Sequence, residues 1–367
     1  MSGGLRASAP APAVTLFVSL FLKGQPMPQP GVALEKLGFL TIGLFDGRDP
    51  GPGHQATLEM IELGEQLGFD AAWVRHRHLQ YGISSPVAVL AAASQRTSRI
   101  ELGTAVIPLG WENPLRLAED LATVDILSGG RLNPGFSVGP PTNWEYVREA
   151  LYPGTAGEED FSYERVSRLL RFVSGETAVS FSGTVGFEQF SPRVEPHSPG
   201  LRSRMWYGGA SLASAKWAGR NAVNFLTSSV VRAEESEDFE SVQLSHIRTF
   251  RGAHPAGARA RVSQGLVVIP TDSASAAQRA KYEAYAAART PRTGAPAGPA
   301  RMMFARDIVG PSGQIAGALY GHAAFREVTE VAFALPFTFE REDYVQILSD
   351  MATRLGPALG WTPKGSL

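Results

Sequence analysis

The order of elements along this chain predicts an α/β fold, a (β/α)8 TIM barrel with insertions after strand 4 and before the last strand. Two observations carry that prediction. Apolar runs of strand length alternate with runs of helical spacing through most of the 367 residues, giving eight strand-helix units in order. Several strand runs are continuously apolar and β-branched, as parallel strands covered on both faces require. Such strict alternation favours a closed barrel over a doubly wound sheet.

The first unit is GFLTIGLF, punctuated by DGRDPGPG and followed by HQATLEMIELGEQLGF, where Met60, Leu63, Gly64 and Leu67 recur at helical spacing. AAWV, residues 71–74, is the second strand, and SPVAVLAAASQRT its helix. IELGTAVIPL reads as one buried strand. Asn113 caps the next helix, Pro114 is its first residue, Leu117, Leu121 and Val124 share a face, and Gly129 and Gly130 close it. RLNPGFSVG is the fourth strand. The rhythm returns with RMWYGGA and helix 211–222, VNFLTSS and helix 238–252, RVSQGLVVIP and helix 273–289, and EVTEVAFALPF and helix 341–358. Two stretches break it. Residues 140–203 hold the helix YERVSRLLRFV and a hairpin around SFSGTVGFEQF, and residues 290–312 are rich in Pro, Gly and Arg. Insertions of this size are commonly lids or binding loops.

Composition narrows the function. The net charge of −1 gives no electrostatic case for nucleic acid or an anionic membrane. Without cysteine there is no thiolate nucleophile and no Cys-ligated metal. Residues 1–36 carry a short apolar run, Val14 to Leu22, and a Pro-rich stretch. The run is too short to span a bilayer and lacks a convincing cleavage site, so these residues read as a disordered leader. One domain over residues 37–361, a tail at 362–367 and a cytoplasmic location are expected.

In a barrel of this kind the reacting face lies at the C-terminal ends of the strands. The candidates by position are Asp46, Arg75 to His78, Ala105–Val106, Gly139 to Pro141, Gly209 to Ser211 and Thr227 to Ser229. No paired carboxylates and no H-E-x-x-H helix are present, His76 and His78 have no acidic co-ligand nearby in sequence, and Ser211 lacks a G-x-S-x-G context. No metal site is expected. GGASLASAKWAG, residues 208–219, ends a strand in glycines and opens a helix with Ser211 and Ser214. Its free N–H groups and hydroxyls suit a phosphate, or else Ser211 is a plain cap. Strand alternation sends Arg75 and Arg77 one way and His76 and His78 the other.

FDAAWVRHRH, SPVAVLAAASQRTSRIELGTAV, PLRLAEDLATVDILSGGRL and GGASLASAKWAG together resemble the bacterial-luciferase-like flavin-dependent monooxygenases, from about Leu37 to about Trp361. The resemblance implies a barrel that binds flavin at the C-terminal face. It places Gly209, Ala210, Ser211 and Ser214 at the flavin phosphate, with Arg165 as a phosphate-binding arginine and Tyr163 beside it. Read alone, Arg165 belongs to the solvated face of a helix. Gly139 and Pro140 fall along the flavin chain, while the family's preceding arginine is here Val138. Where luciferases carry Glu-His-His, this chain has His76, Arg77 and His78, so arginine replaces the catalytic histidine. Arg77 cannot act as a base but can stabilise an anion, leaving proton transfer to His76 or His78. Ala105–Val106 matches the family's cis peptide between non-proline residues.

The activity implied is a two-component monooxygenase. Reduced FMN from a separate flavin reductase would react with O2 to a C4a-peroxyflavin that oxygenates a small organic substrate. The absence of a dinucleotide G-x-G-x-x-G agrees with reduction elsewhere. An F420-dependent oxidoreductase and a non-catalytic flavin-binding protein are the alternatives. A homodimer is expected, with neither nucleic acid nor membrane as partner.

Overall fold

The computed structural model describes residues 33–365, so the expected leader lies, except for its last four residues, outside the described residues. In chain order the barrel elements are β1 (Lys36–Thr41), α1 (Gly51–Gln66), β2 (Ala71–Val74), α2 (Pro86–Ser94), β3 (Glu101–Thr104), β4 (Ile107–Pro108), α3 (Pro114–Leu127), β5 (Leu132–Asn133) and β6 (Gly135–Ser137). Helices α4 (Trp144–Leu151) and α5 (Tyr163–Val173) and the hairpin β7 (Gly183–Val185) with β8 (Glu188–Phe190) follow. Next come β9 (Trp206–Gly208), α6 (Leu212–Arg220), β10 (Asn224–Thr227), β11 (Val230–Arg232), α7 (Phe239–Ala253), β12 (Val262–Gln264), β13 (Val268–Pro270) and α8 (Ala276–Arg289). The chain ends with β14 (Met302–Phe304), β15 (Ile308–Gly310), α9 (Ser312–Gly321), β16 (Glu330–Ala334) and α10 (Arg341–Asp350).

The sheet closes because two staves are each split. β3 and β4 are one strand interrupted at Ala105–Val106, where the peptide bond is cis as the resemblance implies. β5 and β6 are one strand interrupted at Pro134. β3 pairs with β5, and β4 with β6, so the last pairing joins both ends of the parallel sheet into a ring of eight staves. Asn113 caps α3 as expected, accepting from the N–H groups of Leu115 and Arg116.

Three expectations need correction. RVSQGLVVIP is not one strand: β12 belongs to the barrel, while β13 turns away beyond Gly265 and pairs with β15. The run GFLTIGLF leaves the sheet after Thr41, and Gly43 adopts a positive φ of 62°. Helix α9 lies next to the 290–312 stretch with no counterpart in the sequence reading, because SGQIAGALYG lacks a polar face to mark its period.

The barrel interior is filled by two tryptophans. Trp73 and Trp206 meet edge to face at 5.4 Å, surrounded by Ala71, Leu226 and Ala332. Gly38 and Gly103 make room for the Trp73 indole: a Cβ on Gly103 would lie 2.2 Å from the ring. Below them the N-terminal mouth is plugged by ions. Lys36 pairs with Glu101, while Arg261 bridges Glu330 at 2.9 Å and Glu101 at 3.3 Å and lies 4.6 Å from the Trp206 ring centre. Each of these four residues stands at or just before the start of a barrel strand. The opposite mouth is the open one.

Candidate functional site

At the open mouth the strands end in small residues. Ala105, Val106, Gly208, Gly209, Ala210, Gly265 and Ala332 leave a cavity of about 230 Å3, with Leu40 and Leu226 as apolar walls. Short side chains at these ends let a flat molecule approach the backbone closely. Four hydroxyl residues, Ser137, Thr227, Ser228 and Ser263, interrupt the apolar lining. Thr227 and Ser263 are buried, and neither hydroxyl has a hydrogen-bond partner among the described residues. Orphaned buried hydroxyls are uncommon, and on a cavity wall a bound molecule or a water can supply the missing partner.

A second cavity of about 460 Å3 opens above the first and shares Leu40, Ala105 and Ser228 with it. Arg75 and Arg77 enter it from the end of β2, with Arg289 and Arg292 across from them and Phe304 and Phe337 in its walls. The alternation expected of residues 75–78 therefore persists beyond the strand.

His76 and His78 turn to the other side. Their rings lie 4.3 Å apart, and His78 stacks on Trp111 at 4.1 Å. His76 Nε2 meets the carbonyl of Ser84 at 2.8 Å, whereas His76 Nδ1 and His78 Nε2 are buried without partners. Glu112, from the loop after β4, supplies the acidic neighbour that sequence proximity did not reveal. One ligand atom from each of His76, His78 and Glu112 falls within 4.8 Å of the others, close enough to share a proton or one divalent cation. Burial, then the neighbouring His78, holds His76 down to about 3, so it is neutral at pH 7. Burial, with Asp120 adding to it, pushes the Glu112 carboxyl up to about 7.

That shift has a sign that can be read out. The folded chain binds the Glu112 proton more tightly than the unfolded chain, so this contribution is complete below about pH 4.5. It is lost as pH rises toward 7. Glu112→Gln keeps the site neutral throughout. The variant is expected to be more stable than the parent by about 2–3 kcal/mol at pH 8 and by less than about 1 kcal/mol at pH 5. Urea titrations at the two pH values measure this, and an equal difference at both would remove the buried-carboxyl account.

The remaining expected residues divide. Ser211 and Ser214 stand directly behind Gly209 and Ala210, but they bond each other: Ser211 Oγ accepts from the Ser214 N–H at 3.2 Å, and Ser214 Oγ from the Ser211 N–H at 3.1 Å. A reciprocal capping box is thus their role within the fold. The Leu212 N–H at the same helix terminus donates to the Glu234 carboxylate at 2.6 Å. Glu234 stands 3.6 Å from buried His246. An acid of the chain itself therefore sits where an anion would dock, and sequence spacing gave no sign of it.

Arg165 is buried and fully engaged. Its Nε donates to the Leu109 carbonyl at 2.8 Å. Nη1 donates to Glu159 at 2.8 Å and the Asp160 carbonyl at 3.2 Å. Nη2 donates to the Glu112 carbonyl and the Tyr152 hydroxyl, both at 2.7 Å. All five guanidinium donors are satisfied within the protein, leaving none for a phosphate. Arg165 is a strut between α5 and the loop after β4. It is neither the phosphate ligand of the resemblance nor a solvated helix face. Tyr163 stacks on Trp217 at 4.7 Å, and Pro140 is exposed after Gly139, which packs on the turn at Gly110. Asp46 is an exposed turn acceptor for the Arg48 N–H. The structure gathers Ala105, Val106, Gly209 and Ala210 at one cavity and Arg77 at the next. It does not bring His76, His78, Tyr163, Arg165 or Pro140 there.

A parallel eight-stave barrel with one plugged end, and a cavity at the C-terminal ends of its strands, defines a (β/α)8 protein with a candidate small-molecule site. The sequence profile of the luciferase-like monooxygenases matches residues 35–326, and the chain belongs to that family. It is 39% identical over 95 residues to 4-hydroxyprotoasukamycin monooxygenase of Streptomyces nodosus subsp. asukaensis, covering 25% of this chain and 26% of that protein. It is 28% identical over 186 residues to the F420-dependent glucose-6-phosphate dehydrogenase of Amycolatopsis mediterranei, covering 48% and 54%. The chain thus spans about a quarter and about half of the lengths of these two relatives. The fold is similar to the FMN complex of the oxygenating constituent of 3,6-diketocamphane monooxygenase from Pseudomonas putida. The TM-score is 0.66 at 13% identity, with 89% of this chain and 99% of that one covered. Among the described residues no helix is long and apolar enough to cross a membrane.

Proposed function

We propose that this chain is a flavin-dependent monooxygenase of the two-component kind, taking reduced FMN from a separate reductase and using O2 to oxygenate a small organic substrate. The observation that carries the reading is the apolar slot at the barrel mouth with the unpartnered hydroxyls of Thr227 and Ser263. Such a slot suits a flat heteroaromatic ring with a polar edge. Reduced flavin, when bound, supplies the electrons that activate O2. Ala105, Val106, Gly209 and Ala210 would bear against the ring, and Thr227 and Ser263 would meet its polar edge. The α6 N-terminus behind Ser211 and Ser214 would receive the phosphate in place of Glu234. Arg77 contributes a fixed positive charge at the upper cavity and exchanges no proton. The family profile and the monooxygenase relative support this reading. The F420-dependent relative supports the alternative, hydride transfer on F420 in the same slot.

Anaerobic titration of the purified chain with reduced FMN, FAD and F420 separates them. FMN is expected to bind at least about tenfold more tightly than FAD, because the site ends at a monophosphate. Tight F420 binding with no measurable affinity for reduced FMN would overturn the monooxygenase reading. Glu234→Gln removes a negative charge from the phosphate end, so it is expected to tighten FMN binding roughly three- to tenfold. Riboflavin, which lacks the phosphate, should be unaffected. A gain for both ligands alike would place Glu234's influence elsewhere.

A further inference from the structure

The upper cavity holds more positive charge than the proposed chemistry requires. Arg75, Arg77, Arg289 and Arg292 all line it. Arg289 has a partner, since its Nε donates to Asp307 at 2.6 Å, and that buried carboxylate is neutralised by the pairing. Exposed Arg292 is bathed in solvent. Arg75 and Arg77 are different. Both are half-buried, and neither forms an ion pair among the described residues. Arg77 has only a 3.5 Å contact from Nη1 to the carbonyl of its neighbour His76. Arg75 rests over Phe337 at 5.4 Å, a ring that Arg289 also approaches at 5.8 Å. Burial, with Arg77 beside it, holds the Arg75 guanidinium down to about 10.

Two half-buried guanidiniums side by side repel each other and each loses part of its solvation, and an anion arriving from outside would relieve both costs. Arginine presents paired donors that match a carboxylate or a phosphate. Most of the remaining wall is apolar, with Ile42, Val267, Phe304 and Leu335 facing the same space, and Ser228, Ser229 and Thr293 add hydroxyls to it. We infer that the upper cavity binds an organic anion. The ligand is an apolar body carrying a carboxylate or phosphate head, with the head held between Arg75 and Arg77. This names the substrate class for the proposed monooxygenase and rests on that reading for its role as substrate. The anion site itself stands on the cavity alone.

The test uses the full chain without added flavin. Phenylacetate, phenyl phosphate and uncharged benzyl alcohol are titrated by calorimetry at low ionic strength, and reduced FMN is titrated separately. At least one of the two anions is expected to bind about tenfold or more tightly than the alcohol, and the stronger of the two identifies the head group. Arg75→Gln and Arg77→Gln should each weaken that anion about tenfold or more, with partial rescue by Arg77→Lys. FMN affinity should change less than about threefold. Melting curves of the variants establish that they are folded, and a misfolded Gln variant leaves the Lys variant to carry the comparison. Equal binding of anions and alcohol overturns the inference. So does a tenfold loss of FMN affinity in the variants, which would assign the arginines to the cofactor's phosphate. Absence of FMN binding with anion binding intact would defeat the flavin reading and leave the anion site standing.

Discussion

Arg165→Ala is expected to lower folding stability by about 3–5 kcal/mol and to leave the FMN affinity of the folded fraction within about threefold of the parent. The reason is the accounting of its donors. Removing the guanidinium leaves the carbonyls of Leu109 and Glu112 without their donors and the part-buried Glu159 carboxylate without its partner. Breaking a buried ion pair by deleting one partner is far costlier than its net worth when intact. Arg165→Lys should recover only part of the loss, because one ammonium cannot reach five acceptors on three segments. Urea unfolding, followed by FMN titration under native conditions, separates the two effects. Unchanged stability with FMN binding weakened tenfold or more would return the guanidinium to the phosphate.

Trp73→Ala is expected to cost a further class of energy, about 3–5 kcal/mol, by emptying the centre of the barrel. The indole is fully buried against Trp206, among side chains most of which are much smaller than the ring it would vacate. Gly103→Ala attacks the same contact from the other side. Its new Cβ would lie 2.2 Å from the ring, so at least about 1–3 kcal/mol is lost to overpacking. The two changes are coupled. In a Trp73→Leu background the smaller side chain leaves room, and Gly103→Ala should become markedly less harmful. A double-mutant cycle measured by urea unfolding tests this, and strict additivity would show that Gly103 is kept for some other reason.

Much of the barrel was legible because its code is local. Asn113 with Pro114 announces a helix start by chemistry that involves only its own turn, and the apolar period carries the staves. The departures from expectation occur where distant partners decide. β13 leaves the barrel because β15, some forty residues later, offers it a ladder. The site divides along the same line. Position at the strand ends, together with the resemblance, gave Ala105, Val106, Gly209 and Ala210, and strict alternation separated Arg77 from its flanking histidines. Arg165 escapes a sequence reading because a helical arginine looks the same in sequence whether its acceptors lie in water or on three segments folded around it. Glu112 beside His76, and Glu234 on the α6 terminus, are meetings of different loops that no spacing records.

The ionic plug of Lys36, Glu101, Arg261 and Glu330 makes the barrel a vessel with a single opening. Traffic then has an order imposed by depth. The slot along the barrel axis adjoins the arginine-lined chamber through Leu40, Ala105 and Ser228, so under the proposed function the slot's occupant is expected to enter first and depart last. Compulsory-order steady-state kinetics, with the deep ligand leading, are the expected outcome. An excess of the upper ligand added before the deep one would inhibit by obstruction, and the inhibition would fade as the deep ligand is raised.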